Sequence, residues 1–369
     1  MRKLASIQVI SEIRDIPGAD KIKVCNLRDL GWECVIKANE FNTEDKIIYV
    51  ECDSIMPEKP EFEFLRDRKF RVKTIKLRKQ TSQGLVLPLS MLPNGNYNEG
   101  DDVTELMGIK KYDPQSIEEQ SMVASSKSNS KTLKFLMQFS AFRYIYLKLN
   151  RKEKGSFPSG VSKTDEENIQ NCVNIISNNF DKSFYISEKL EGQSTTFFTS
   201  FEKSWILKNK IFGVCSRNMW LKTPDKSKYW ESAKKYNIKE VLMSIPERVS
   251  IQVEQIGVGI QGNIYKLEDV QIRVFNVYVN GERMKLADMK AFCNKYNLPM
   301  VPIIDEDFVP SKHILVNDRA TIVKWLLDYS NGMSTLYKTK REGIVIRLND
   351  NTNISVKARS PEYLLEHGE

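Results

Sequence analysis

Histidine is nearly missing from this sequence: His313 and His367 are the only two in 369 residues. That argues against histidine acid–base chemistry and against a multi-histidine metal site. Cysteine is sparse as well. Cys25, Cys34, Cys52, Cys172, Cys215 and Cys293 are scattered, with no Cys-x-x-Cys pair. The pattern fits a reducing, cytoplasmic setting and speaks against a structural zinc site or a disulfide framework. No apolar run is long enough for a membrane span, and the opening "MRKLASIQVISEIRD" lacks a stretch of secretory-signal length. Any chemistry must therefore rest on lysine, arginine and carboxylates.

Those residues are plentiful. Charged residues make up 28% of the chain and hydrophobic ones 41%, with a net charge of +8. The positive excess leans towards a polyanionic partner. The length allows two domains with sizeable cores.

Residues 1–110 read as short strands and turns with no helical period, the signature of a small β-barrel. "IQVISEIRDI" leads to the turn "PGAD", "KIKVCNL" leads to "WECVIKA", and "IIYVECDSIMP" follows. "GLVLPLSML" and "NEGDDVTELMGI" close the module as a last strand and a short helix. The stretch from Arg66 to Lys79 carries eight basic residues against one acid, Asp67. It reads as one strand whose alternation slips near Thr74, as at a β-bulge. Arg71, Lys73, Lys76 and Arg78 are its candidate RNA contacts, on the face an OB-like barrel offers to a phosphate backbone. The alternative is an edge strand guarded by charge.

Residues 111–155 read as a polar linker running into an apolar helix, Leu133–Leu149, wedged between domains. Thr164 or Asp165 is the candidate N-cap of a helix through Ile176. From 156 to 369, strands alternate with helices near 226–243, 286–297 and 318–329, which gives an α+β domain of antiparallel sheets with flanking helices.

The stretch "SEKLEGQS" places Lys189 at the end of a strand, before a tight connection at Glu191-Gly192. Alone, Lys-x-x-Gly is an ordinary solvated turn. Downstream, in order, stand "FGVCSRN", "VSIQVEQIGVGIQGNIY", "RVFNVYV", "REGIVIR" and "NISVKARSPEYLLE". Together the six segments resemble the nucleotidyltransferase motifs of ligases and capping enzymes, and are most similar to the ATP-dependent RNA ligases of the Deinococcus and Naegleria type. "IPGADKI", "DSIMP", "FEFLR" and "TSQGLVLPL" extend the resemblance across nearly the whole chain.

The resemblance implies ATP as substrate, Mg2+ or Mn2+ as cofactor, and Lys189 as the nucleophile that becomes adenylylated. A lysine attacking phosphorus must be a free amine, and the charge built on the phosphate must be clamped by cations. By position, Glu188, Arg217, Asn218, Phe275, Glu342 and Lys357, with Lys338 as a helper, would bind ATP. Phe275 would stack on adenine and Lys357 would hold the α-phosphate. Glu191, Glu254 and Glu342 would hold the metal through its waters. Glu191 stands where many relatives have Asp, and Ser355 stands where many have a first lysine of Lys-x-Lys.

The implied activity is sealing of RNA 3′-hydroxyl and 5′-phosphate ends, in nicked duplexes with RNA on the 3′-hydroxyl side, by a monomer. A DNA ligase and an mRNA guanylyltransferase are the enzymatic rivals, and usually carry an OB domain after the last motif. Only twelve residues follow Lys357 here, which disfavours both. The other rival is a non-catalytic RNA-binding protein, against which Lys189, Glu254, Glu342 and Lys357 all stand.

Overall fold

The structure is a computed structural model that describes residues 3–28, 30–112, 154–163, 166–203, 208–221 and 227–367. The expected helix at 133–149 and the N-cap candidates Thr164 and Asp165 lie outside these residues.

The N-terminal sheet is built from β1 (Ala5–Ile16), β2 (Ala19–Leu27), β3 (Glu33–Lys37), β4 (Lys46–Val50) and β8 (Leu85–Pro88). It is antiparallel, in the order β3-β2-β1-β4-β8. A register shift between Ile10 and Glu12 lets β1 pair with β4 through its first half and with β2 through its second. Such a bulge coils the sheet towards a barrel. The edge strand β3 meets the segment Gln80–Gln83, just before β8, where the Cys34 thiol donates to the Gln83 carbonyl and Val35 N–H to the Ser82 hydroxyl. Apolar residues of β1 and β4, among them Ile7, Ile10, Ile47 and Ile48, are fully buried. Short pairs β5 (Ser54–Ile55) with β9 (Lys110–Lys111), and β6 (Thr74–Leu77) with β7 (Gln80–Gln83), finish the module.

Two expectations for this module need correction. "NEGDDVTELMGI" forms hydrogen-bonded turns and no helix. Arg66–Lys79 is not one strand. A 3-10 helix, Pro60–Arg68, precedes left-handed Lys69 and Phe70, and only Thr74–Leu77 is extended before left-handed Arg78 and Lys79. Pro60 starts the helical turns, and burial of Phe62, Leu65, Phe70 and Val72 holds the irregular path.

The second half of the chain holds two larger sheets. Members of the first are β10 (Lys154–Ser156), β13 (Gln193–Lys203), β14 (Lys208–Cys215), β15 (Met219–Leu221), β16 (Val249–Gly257), β17 (Val270–Val279) and β18 (Glu282–Arg283). Their order is β10-β15-β14-β13-β16-β17-β18. Helices Lys228–Lys235, Ile238–Ser244 and Leu286–Lys295 cover this sheet through a core that includes Phe197, Ile251, Val274 and Met289. The second sheet is built from β11 (Glu167–Asn168), β12 (Phe184–Lys189), β19 (Ile303–Phe308), β20 (Gly343–Leu348) and β21 (Ser355–Arg359), in the order β11-β21-β20-β12-β19. Its β11–β21 pair is parallel, the others antiparallel. Helix Arg319–Ser330 covers its back. In place of one helix through Ile176 there are β11 and two single-turn helices, Ile169–Cys172 and Asn174–Ser177.

The barrel is docked on this second half. Trp32 Nε1 donates to Asn171 Oδ1 at 2.7 Å, and Asn171 Nδ2 donates to Glu51 Oε1 at 2.6 Å. The C-terminal helix Pro361–His367 lies against β6.

Candidate active site

Strand alternation decides what faces the space between the two large sheets. On β12, Phe184 and Ile186 enter the core beneath helix Arg319–Ser330, so Tyr185, Ser187 and Lys189 face the other way. On β20, Ile344, Ile346 and Leu348 point to the core, leaving Val345 and Arg347 opposite. On β21, Val356 and Ala358 point to the core, leaving Ser355, Lys357 and Arg359. Register then sets these residues side by side: Lys189 pairs with Gly343, Gly343 with Arg359, and Val345 with Lys357.

Lys189, Val345, Lys357 and Arg359 line a cavity of about 260 Å³. Lys189, Glu188, Glu191, Arg217, Glu254, Phe275, Glu342 and Lys357, eight of the residues singled out above, all contribute to its walls. Lys189 Nζ lies 2.5 Å from Glu342 Oε2. Arg347, 2% exposed, donates to the Tyr185 hydroxyl at 2.5 Å and pairs with Glu166 at 2.8 Å on the cavity floor. Ser355 Oγ stands 3.5 Å from Glu166 Oε1.

Two glycines make these approaches possible. A Cβ on Gly192 would sit 2.3 Å from the Gln255 carbonyl and 2.8 Å from Glu254 Cγ, so only glycine lets the chain leaving Lys189 pass beside Glu254. Gly343 has φ 156, and a Cβ there would meet the Ala358 carbonyl at 2.2 Å.

Burial makes the carboxylates costly. The pKa of Glu254 is pushed up to about 8 by desolvation, with Lys189 pulling it down and Glu342 pushing it further up. Glu166 is held below the ordinary carboxylate range despite its burial, by Arg347 and Arg283. Glu188 is 2% exposed. Its Oε2 accepts from Thr335 N–H at 3.1 Å and the Thr335 hydroxyl at 3.0 Å, while its buried Oε1 has no partner. Glu191 Oε1 accepts from Gly262 N–H at 2.9 Å, and its own N–H donates to the Tyr265 hydroxyl at 2.9 Å.

Among the described residues, no three His, Cys, Asp or Glu side chains converge as direct ligands of a metal ion. Glu191, engaged by the loop at Gly262, and Glu342, engaged by Lys189, flank Glu254 without forming a cage. A hydrated divalent ion held through its own waters fits this wall, since it would offset the charge that Glu254 resists carrying.

Other expected residues fall elsewhere. Asn218 does not line the cavity, and neither does exposed Lys338. Arg71 lines the cavity instead of the outer barrel surface, whereas Lys76 and Arg78 are exposed and Lys73 is half-buried. Sequence reasoning passed over Asp53, Lys111, Tyr112, Glu166, Arg347 and Arg359, which complete the walls. For the two arginines a signal existed: each stands two residues beyond an inward-facing position on its strand.

No curated protein matches the chain. An RNA ligase family model matches residues 182–360, and an OB-fold domain model matches residues 4–89. Among solved structures, Naegleria gruberi RNA ligase with pyrophosphate is similar at 30% identity over 100% of this chain and 99% of that one, with a TM-score of 0.77. Two mutants of that ligase, one with AMP and Mn and one with ATP and Mn, are each 29% identical with TM-scores of 0.77. They match over 100% and 99% of this chain, respectively, and over 99% of each of theirs. With its OB-fold barrel and its ligase-type sheets around a lysine, the chain belongs to the RNA ligase family.

Proposed function

We propose that the chain is an ATP-dependent ligase that seals RNA through a lysyl-AMP intermediate. The observation that carries this reading is the Lys189–Glu342 pair at 2.5 Å inside a cavity that Glu254, Phe275 and Lys357 also line. Lys189 Nζ attacks the α-phosphorus of ATP, forming a P–N bond as the bond to pyrophosphate breaks. An RNA 5′-phosphate oxygen then takes the AMP from the lysine. Finally an RNA 3′-hydroxyl attacks that 5′-phosphate and AMP leaves. Lys357 and Arg217 supply positive charge for the phosphates. Glu254, Glu191 and Glu342 would hold a divalent cation, Mg2+ or Mn2+, which when bound neutralises charge developing on the phosphate.

The choice of ATP over GTP follows from Glu188. Its Oε1 is buried and has no partner within the protein, on a residue that lines the cavity beside the nucleophile. The amino group of adenine can donate to it, whereas guanine would present a carbonyl to a carboxylate, a mismatch that buried polar groups penalise heavily. Half-buried Phe275, packed near Leu190 and Val301, would stack on the base.

For the substrate we propose a nicked duplex with RNA on the 3′-hydroxyl side, bound by a monomer whose barrel (1–110) and transferase domain (156–369) flank a linker (111–155). Lys73, Lys76 and Arg78 would contact its phosphates. Incubation with radiolabelled ATP or GTP and a divalent metal, followed by a denaturing gel, tests the reading. Label from ATP only, absent in Lys189→Ala, is the expected result. Label from GTP would indicate a capping enzyme, and no label from either a binding protein.

A further inference from the structure

We propose that Asp53, a residue of the barrel, positions the nucleophile: it holds Arg359 so that Glu342 stays aligned with Lys189. The inference rests on the lysyl-AMP reading above. Asp53 Oδ1 accepts from Arg71 Nη2 at 2.5 Å, and Oδ2 pairs with Arg359 Nη1 at 2.9 Å. Arg359 Nε faces Glu342 Oε1 at 3.6 Å, and the other oxygen of Glu342 takes Lys189 at 2.5 Å. Charges of alternating sign thus run without a break from the barrel to the attacking nitrogen.

The series is largely shielded from water, with side-chain exposures of 12% for Arg71, 22% for Asp53, 15% for Arg359 and 9% for Glu342. Shielding strengthens each attraction relative to an exposed pair. Its barrel end is tied into the backbone. Asp53 N–H donates to the Val72 carbonyl at 2.9 Å, and Tyr112 N–H to the Asp53 carbonyl at 2.7 Å. The Arg71 guanidinium lies 3.7 Å from the Tyr112 ring centroid.

Contacts other than this carboxylate also dock the barrel. Trp32, Asn171 and Glu51 join the two halves independently, as does the Gly31 N–H bond to the Gln170 carbonyl. What depends on Asp53 is the share of Arg359 that Glu342 receives. Without the Asp53 charge, Arg359 is drawn to Glu342 and competes with Lys189 for it.

Asp53 has φ 68, a left-handed conformation that Asn also tolerates, so Asp53→Asn removes charge while keeping size and backbone. In the full chain, single-turnover lysyl-AMP formation from labelled ATP should fall roughly ten- to a hundredfold at saturating ATP. Half-saturating ATP should stay within about twofold of the parent. The melting temperature should hold, and Asp53→Glu should recover part of the rate. Parental labelling by Asp53→Asn would overturn the proposal. So would a raised half-saturating ATP at unchanged maximal rate, which would mean ATP binding. A loss that follows a lowered melting temperature and that Asp53→Glu does not rescue would mean a structural role only, and would overturn it too. If the parent protein takes no label, the lysyl-AMP reading falls with it; a labelled parent with an unaffected Asp53→Asn overturns this proposal alone.

Discussion

Glu254 carries its proton in the folded protein up to about pH 8, against an ordinary value of 4.5, because desolvation outweighs the pull of Lys189. Since the folded pKa is the higher one, the stabilising contribution is present below about pH 4.5 and is lost as the pH rises towards 8. The melting temperature of metal-free protein should therefore decline across that window, and Glu254→Gln should flatten the decline. Adding Mn2+ at pH 8 should raise the melting temperature of the parent more than that of Glu254→Gln. Equal shifts would remove Glu254 from the metal site. Gly192 belongs to the same scale. Gly192→Ala drives a methyl into the Gln255 carbonyl and Glu254 Cγ. Overpacking of this kind costs about 1–3 kcal/mol, and displacement of Glu254 should cut lysyl-AMP formation roughly a hundredfold. These two residues were legible in the sequence because each sits in a recognisable motif. Asp53 was not, since its partners Arg71 and Arg359 are 18 and 306 positions away.

At the scale of elements, period-2 patterning located most of the transferase strands, including those bearing Lys189, Glu254, Phe275 and Lys357. It missed Ile303–Phe308, whose residues "IIDEDF" bear three acids and pair at the sheet edge beside β12. It also read Arg66–Lys79 as a single strand, because an interleaved basic and apolar run looks extended when its left-handed breaks at Lys69–Phe70 and Arg78–Lys79 are invisible. The consequence is functional. Arg71 turns inwards to Asp53, while Lys76 and Arg78 stay outside on a hairpin with half-buried Lys73. Neutralising Lys73, Lys76 and Arg78 together should leave lysyl-AMP formation near parental levels while nick sealing falls. The salt dependence of sealing should also become shallower, by roughly one unit of slope for each phosphate that the hairpin no longer neutralises. Unchanged sealing with an unchanged slope would restrict the hairpin to guarding an edge.

The whole molecule works only if the barrel and the transferase sheets keep one arrangement, because Asp53 and Arg71 from the barrel, Lys111 and Tyr112 just after it, and Lys189, Glu342 and Arg359 from the transferase sheets line a single cavity. Composition could indicate two domains, yet it held no trace of this joint wall, which exists only through docking. Asn171 is its hub. The side chain accepts from Trp32 and donates to both Glu51 and Glu167, at 2.6 and 2.9 Å for the two donations. Asn171→Ala would strand the Trp32 N–H and part of the Glu51 carboxylate, with an unsatisfied buried donor costing about 1–3 kcal/mol. At Gly31, the neighbouring contact, a Cβ would already press on Val323 at 2.6 Å, so the seam has no slack to re-form around the loss. Asn171→Ala should lower the calorimetric midpoint and separate one transition into two, the barrel melting apart from the transferase sheets. Lysyl-AMP formation should then decline in step with undocking and recover at temperatures below the first transition. That pattern differs from Asp53→Asn, which slows the reaction at every temperature while the seam stays closed. A single unsplit transition in Asn171→Ala, with full activity, would show that the barrel is held elsewhere.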